Sequence, residues 1–269
     1  MVFYLVGLGL GDHEDVTIRG FNCIKNSEQV FLEHYTSILG VNKEKLEEFY
    51  GKPITIADRE YVESHAEEIY QAAKEKNVSL LVVGDPLCAT THVDIILRAK
   101  KEGIPVEVIH NASAMGAVAS CGLQLYQFGY TVSIPWFEEG WKPSSYYERI
   151  QYNSAGGMHT LCLLDIKVKE PDYESMVKFG KVKYLPPRFM TVNTAIEQLL
   201  EIEAEKQQGV LSESTLAVGM ARLGQPTQQI VYGTLKELLE VDFGEPLHCL
   251  AICGEIHPLE KEILEYYRV

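Results

Sequence analysis

The chain has 269 residues, of which 46% are hydrophobic and 23% charged, the composition of a folded globular protein and not of a disordered or fibrous one. Twenty-four Lys and Arg against 38 Asp and Glu give a formal charge of -14, which argues against a nucleic-acid backbone as the main partner and is itself compatible with plain solubility. The length suffices for two domains of ordinary size. Cysteines stand at 23, 88, 121, 162, 249 and 253 with no Cys-x-x-Cys pair, so reduced core thiols in a cytosolic protein are expected, with neither a disulfide framework nor a structural zinc. Residues 1–10 are apolar but lack a basic leader and a small-residue cleavage site, and no apolar run approaches a bilayer span, so neither secretion nor membrane insertion is expected.

In chain order, residues 2–8 read as a strand, followed by the turn Gly7-Leu8-Gly9-Leu10-Gly11-Asp12 and a helix from about 15 to 26 with Val16, Ile18, Phe21 and Ile24 as apolar positions. A dinucleotide fingerprint needs its third glycine one residue later, running directly into a helix. Here Asp12, His13, Glu14 and Asp15 stand where pyrophosphate needs bare backbone N–H groups, so NAD and FAD are not expected. Residues 30–32 read as a second strand ending in Glu33-His34-Tyr35-Thr36-Ser37, residues 42–50 as a short helix, 53–57 as a short strand and 62–76 as a helix.

Residues 80–83 are wholly apolar, as in a parallel strand covered on both faces, and Gly84-Asp85-Pro86 stops them. Thr90 or Thr91 is placed to cap a helix with Val93, Ile96 and Leu97 as its apolar positions, ended by Gly103 and Pro105. In open parallel sheets ligands sit beyond the carboxyl ends of strands, which puts Asp85 and the backbone of 86–89 where a ligand is expected; taken on its own, Gly-Asp-Pro is more simply explained as turn chemistry, since these are the commonest turn formers. Residues 104–109 make a further strand, and His110-Asn111-Ala112-Ser113 leads into a small-residue helix, 114–121, whose lack of bulk suits either a ligand or close packing.

The β-α rhythm loosens around 122–129, which places a domain boundary there and gives an N-terminal domain 1–122 and a C-terminal domain 123–269. The second holds strands at 131–134, 159–166, 216–222, 229–232 and 248–253, helices at 144–153, 191–207 and 258–267, an aromatic loop with Trp136, Phe137 and Trp141, and a polar excursion over 167–188. The fold class is α/β in two lobes, a mostly parallel sheet in the first and a mixed sheet in the second, with a ligand cleft between them. No Gly-x-Ser-x-Gly elbow, phosphate-binding loop or His-x-x-x-His pair is present. His159 and His248 each stand beside an apolar strand, where a lone histidine is more often structural than catalytic.

Together the segments Tyr4 to Asp12, Tyr35-Thr-Ser37, Gly84-Asp-Pro with Ala89-Thr-Thr-His92, Ile109 to Ser113, Gly122 to Tyr126, His159-Thr-Leu161, Leu164-Asp-Ile166 and Gly244 to His248 resemble the tetrapyrrole-methylase-like class of S-adenosylmethionine-dependent methyltransferases. Within that class the chain is similar over nearly its whole length to the diphthine synthase family, and the run Cys162 to Glu170 with the polar excursion after it looks like the eukaryotic branch. The resemblance implies methyl transfer from S-adenosylmethionine, released as S-adenosylhomocysteine, to the aminocarboxypropyl histidine of elongation factor 2 in diphthamide biosynthesis. It implies three N-methylations, ending at the trimethylated amine or, the preferred reading, continuing to a carboxylate methyl ester, in a cytoplasmic homodimer with no nucleic acid or membrane partner. By the same resemblance the cofactor pocket involves Leu10, Asp85, Cys88, Ser113, Ala114, Leu164, Leu223 and His248, with no metal and no base nominated. Cys88 departs from the glycine or aliphatic residue, and Ala114 from the isoleucine, often found in the family. In-line methyl transfer needs alignment more than acid or base, which accounts for the missing triad. Two readings compete: methylation of a small tetrapyrrole, to whose carboxylates an acidic chain without an Arg cluster is poorly matched, and a non-catalytic protein-binding module.

Overall fold

The structure, a computed structural model, describes residues 1–35, 39–170 and 184–269; Thr36 and Ser37 of the sequence motif and most of the 167–188 excursion lie outside the described residues. The chain divides into two compact units, Met1–Ala117 with Gly224–Pro226, and Val118–Leu223 with Thr227–Val269. Among the described residues no helix is long and apolar enough to cross a membrane.

The first unit is built on a parallel five-stranded sheet, β1 (Phe3–Gly7), β2 (Gln29–Glu33), β3 (Thr55–Ala57), β4 (Val78–Val82) and β5 (Val106–Ile109), in the order β3-β2-β4-β1-β5. Every residue of β4 is buried, and its side chains alternate. Val78, Leu80 and Val82 enter one core with Phe3, Leu5, Ile69, Ile95 and Ala99, whereas Leu81 joins Val6, Leu8, Val30, Ile24 and Tyr50 on the other face. An apolar run is therefore what a doubly covered parallel strand requires. Its one polar member, Ser79, is satisfied by Ser27 at 2.7 Å between hydroxyls.

The helices are α1 (Ile18–Lys25), α2 (Lys43–Tyr50), α3 (Arg59–Ser64), α4 (Ala66–Gln71), α5 (Val93–Lys101) and α6 (Ala114–Ala117). Several differ from the sequence expectation. The helix expected from about 15 begins only at Ile18, capped by Thr17 Oγ1 accepting from Gly20 N at 3.0 Å, because Asp15 belongs to a preceding 3-10 turn and turns its carboxylate back onto the glycine loop. Ile18 is exposed. The single helix expected over 62–76 starts earlier, on an Asp58 cap, and is interrupted at His65, whose φ/ψ of -122°/25° leave the helical region. On α5 the buried stripe is Ile95 and Ala99; Val93 and Leu97, expected inside, face out. Neither threonine side chain caps it, and Thr90 Oγ1 donates to Pro86 O instead, at 2.5 Å. The small-residue helix is one α turn, α6, followed by a 3-10 stretch to Cys121.

The second unit carries the mixed sheet β11 (Gln229–Thr234), β10 (Leu216–Ala221), β12 (His248–Ile252), β7 (Thr160–Leu164), β6 (Val132–Ile134), in that order, with β6–β7 its parallel pair and the others antiparallel. The strand expected over 159–166 breaks at Asp165, whose Oδ2 accepts Trp136 N at 3.1 Å, before a short ribbon of β8 (Ile166–Lys167) and β9 (Arg188–Phe189). Helices α7 (Ser145–Ala155), α8 (Val192–Lys206), α9 (Leu235–Leu239) and α10 (Pro258–Leu264) complete the unit. Its core gathers Ala195, Ile196, Leu199, Leu235, Phe243 and Leu250, among others. Trp136 and Phe137 pack against that core, so of the aromatic loop only Trp141 is largely exposed. Of the six cysteines expected in the core, Cys121, Cys162 and Cys249 are buried and Cys23, Cys88 and Cys253 only half-buried; burial pushes the Cys121 and Cys249 thiols up to about 11 and about 12.

Candidate active site

The carboxyl ends of β1, β4 and β5 are tied into one assembly by backbone and by two polar side chains. Gly9 N donates to Gly84 O at 3.2 Å and Gly84 N to Gly9 O at 2.7 Å, joining the first and second turns. Asn111, after β5, closes the third: its Nδ2 donates to Gly7 O and Asp15 O, each at 3.0 Å, and its Oδ1 accepts Ala112 N at 2.8 Å. Gly7 is required by this closeness, since a Cβ there would lie 2.7 Å from Gly84 O and 2.8 Å from Asn111 Cβ.

Asp85 is the polar centre of the assembly. Its Oδ1 accepts Leu87 N at 2.9 Å, and its Oδ2 accepts Asn111 N at 3.1 Å and faces His110 Nδ1 at 2.8 Å. Burial pushes the carboxyl up, but the two backbone N–H groups and the imidazole outweigh it and hold the group below the ordinary aspartate value. Pro86 O receives Thr90 Oγ1 and, at 3.0 Å, His92 Nδ1, so the turn that carries Cys88 is held from behind by a buried histidine. Cys88 N donates to Asp85 O at 3.2 Å, and its side chain is half-buried.

Around Gly84 the structure leaves room. A Cβ added there would meet nothing nearer than Ala112 O at 3.8 Å, Leu10 Cδ2 at 3.9 Å and Ser113 Cα at 3.9 Å. Leu10, Asp85, Cys88, Ser113 and Ala114 therefore gather at one end of the first sheet, with Ser113 O accepting the first N–H groups of the helix that Ala114 begins. The N–H groups of Leu10 and Gly11 are already bonded to Asp15 Oδ2, at 3.3 and 2.7 Å, which leaves the loop unsuited to a phosphate.

Leu164, Leu223 and His248 belong to the second unit and also share one end of their sheet. His248 opens β12 opposite Ala221, the Cys249–Leu163 pair sets Leu164 beside it, and Leu223 follows β10 by two residues. His248 Nε2 lies 3.1 Å from both Gly244 O and Glu245 O, while Nδ1 is buried without a partner; burial holds its pKa below the ordinary imidazole value. Arg222, at φ +51°, braces the same loop: its Nη1 donates to Phe243 O at 2.7 Å, and its Nε to Thr227 O at 3.0 Å.

Sequence reasoning passed over Asp15, His110, Asn111 and Arg222 as site-builders. The signal for the middle two was the polar run directly after a strand; nothing local announces a side chain that reaches a carbonyl 104 residues away.

The chain matches the family described as Tetrapyrrole (Corrin/Porphyrin) Methylases over residues 2–239. It is 57% identical to a diphthine methyl ester synthase of Dictyostelium discoideum, covering 100% of this chain and 99% of that protein, and 51% identical to the one of Mus musculus, covering 100% and 97%. A crystal structure provisionally named as a diphthine synthase from Entamoeba histolytica superposes with a TM-score of 0.88 at 50% identity, covering 100% of this chain and 98% of that one.

Proposed function

The chain belongs to the tetrapyrrole methylase family and, within it, to the diphthine methyl ester synthases, and we propose on that footing that its substrate is elongation factor 2 bearing an aminocarboxypropyl histidine. It is an S-adenosylmethionine-dependent methyltransferase of diphthamide biosynthesis. The observation that carries this is likeness over the full length of both chains at more than half identity, which spans every turn described above. The ester in the relatives' names favours four methyl transfers, three to nitrogen and one to the carboxylate.

The residues present fit the cofactor. S-adenosylmethionine supplies, when bound, an electrophilic methyl on a sulfonium, and it carries no phosphate. The loop whose N–H groups Asp15 occupies, the open face over Gly84 flanked by Leu10 and Ala112 O, and an acidic chain all suit such a cation. By the family resemblance, Leu10, Asp85, Cys88, Ser113, Ala114, Leu164, Leu223 and His248 would hold it. Asp85 orders the turns and adds negative charge, while the unpartnered Nδ1 of His248 offers a polar contact. By the family resemblance alone we also infer a cytoplasmic homodimer.

The test is transfer of a labelled methyl group. Label is expected on elongation factor 2 carrying the aminocarboxypropyl group and none on factor lacking it, with intact mass rising by four methyl units. Equal labelling of both forms, or methylation of a tetrapyrrole with the factor untouched, removes this reading.

A further inference from the structure

The turn after β5 places a histidine in the geometry of a proton acceptor. His110 Nδ1 lies 2.8 Å from Asp85 Oδ2, and that carboxylate is 5% exposed and fixed by the N–H groups of Leu87 and Asn111 as well. An ionised carboxylate only accepts, so the hydrogen lies on Nδ1, and the neutral ring presents a bare Nε2. The His110 side chain is 68% exposed, so the ring away from Asp85 is open to an incoming group. A buried carboxylate that orients a histidine whose second nitrogen is free, at the carboxyl ends of parallel strands, is an acid–base arrangement.

We propose that His110 Nε2 is the base that accepts the proton lost from the substrate amine during N-methylation, with Asp85 holding the ring. The proposal rests on the methyltransferase reading above. A primary ammonium has no lone pair and must lose a proton before it attacks. Each N-methylation breaks one N–H bond and forms one N–C bond, the electron pair of the broken S–C bond stays on sulfur, and one proton leaves per methyl. The exposed ring passes it to solvent. Esterification differs: the carboxylate attacks as it stands and releases no proton. His110 therefore serves the methyl transfers to nitrogen and not the transfer to oxygen.

His110→Asn separates the two. An asparagine amide can keep the hydrogen bond to Asp85 but has no basic atom. Transfer to nitrogen is expected to slow by about 100-fold. Formation of the alkali-labile ester on factor already trimethylated, and affinity for S-adenosylhomocysteine, should stay within about twofold. Free imidazole should restore part of the lost N-methylation. In the cofactor-free wild type, nitrogen-15 NMR of the ring should show hydrogen on Nδ1 and none on Nε2 in the neutral form. Undiminished N-methylation, an equal fall in ester formation, or hydrogen on Nε2 in that neutral ring overturns the proposal. A wild-type protein that transfers no methyl to the factor overturns the methyltransferase reading and, with it, this one.

Discussion

Gly9 and Gly84 face each other across the ends of β1 and β4, exchanging backbone hydrogen bonds of 3.2 and 2.7 Å, each at φ +78°. Glycine enters that left-handed region without strain, so both positions share one conformational reason for their residue. Space distinguishes them. A Cβ on Gly9 would stand 2.7 Å from Asp15 Cβ, whereas one on Gly84 meets nothing within 3.7 Å.

Alanine at each glycine should therefore separate folding from binding. Gly9→Ala adds a clash to the strain and is expected to lower stability by about 2–3 kcal/mol. Gly84→Ala costs only about 1 kcal/mol of conformational strain. Its methyl, however, enters the face between Leu10 and Ser113, and cofactor affinity should fall by about tenfold or more. Urea denaturation and calorimetric titration measure the two effects; wild-type affinity in Gly84→Ala would mean that no ligand uses that face.

Asp85→Asn and Cys88→Gly form a second pair. The amide would turn an N–H donor toward either Leu87 N or Asn111 N, orphaning one buried donor at about 1–3 kcal/mol. It also removes a negative charge beside the cofactor face, so both stability and affinity for S-adenosylmethionine should drop. Cys88→Gly trims a half-buried side chain and should cost no more than about 1 kcal/mol, with affinity retained. If Asp85→Asn loses stability alone, the aspartate is turn scaffold and its charge plays no part in binding.

The sequence read well where one local pattern decides the outcome. The apolar run of β4 and the abrupt Gly84-Asp85-Pro86 stop follow from spacing and turn chemistry. The face of α5 did not, because Val93, Ile96 and Leu97 are as helically spaced as Ile95 and Ala99, and only the position of the helix on the sheet chooses between them. α9 was missed although Thr234 and Glu237 form a capping box that announces it. Within the site, Gly84-Asp85-Pro86 was visible as a turn, but the Asp85–His110 pair joins residues 25 apart and depends on β4 and β5 ending together, information that no local pattern holds.

Glu260 offers a test of what fastens the last helix. Its Oε1 accepts Gln124 N at 2.8 Å and lies 3.4 Å from His159 Nε2, and its Oε2 accepts His257 N at 2.7 Å, all within the second unit. Burial pushes this carboxyl up, yet the two N–H groups and His159 outweigh it and leave its pKa lowered. Glu260→Gln must set an amide N–H against a backbone donor. A loss of about 2–3 kcal/mol in urea denaturation is expected, against under 1 kcal/mol if the helix is held by its apolar contacts alone.

Acid should weaken the fold before any carboxylate titrates. His92, His159 and His248 are all buried, and burial lowers the pKa of each. An unfolded chain binds protons on these rings near pH 6.5, while the folded chain resists them until a lower pH. Stability is therefore fully present above about pH 6.5 and falls as pH drops through the folded pKa values, by up to about 1.4 kcal/mol per pH unit for each ring. His159 is the clearest case: its Nδ1 accepts Gly254 N at 2.8 Å, a bond that protonation destroys, and the attraction of Glu260 for the charged ring offsets only part of the cost of burial. The melting temperature should stay level from pH 8 to about pH 7 and decline toward pH 5.5. His159→Gln should be less stable at pH 7.5, by about 1–3 kcal/mol, yet decline less steeply on acidification because one of the resisting rings is gone. An unchanged slope in that variant would exclude His159 from the effect, and a flat profile in the wild type would exclude all three histidines.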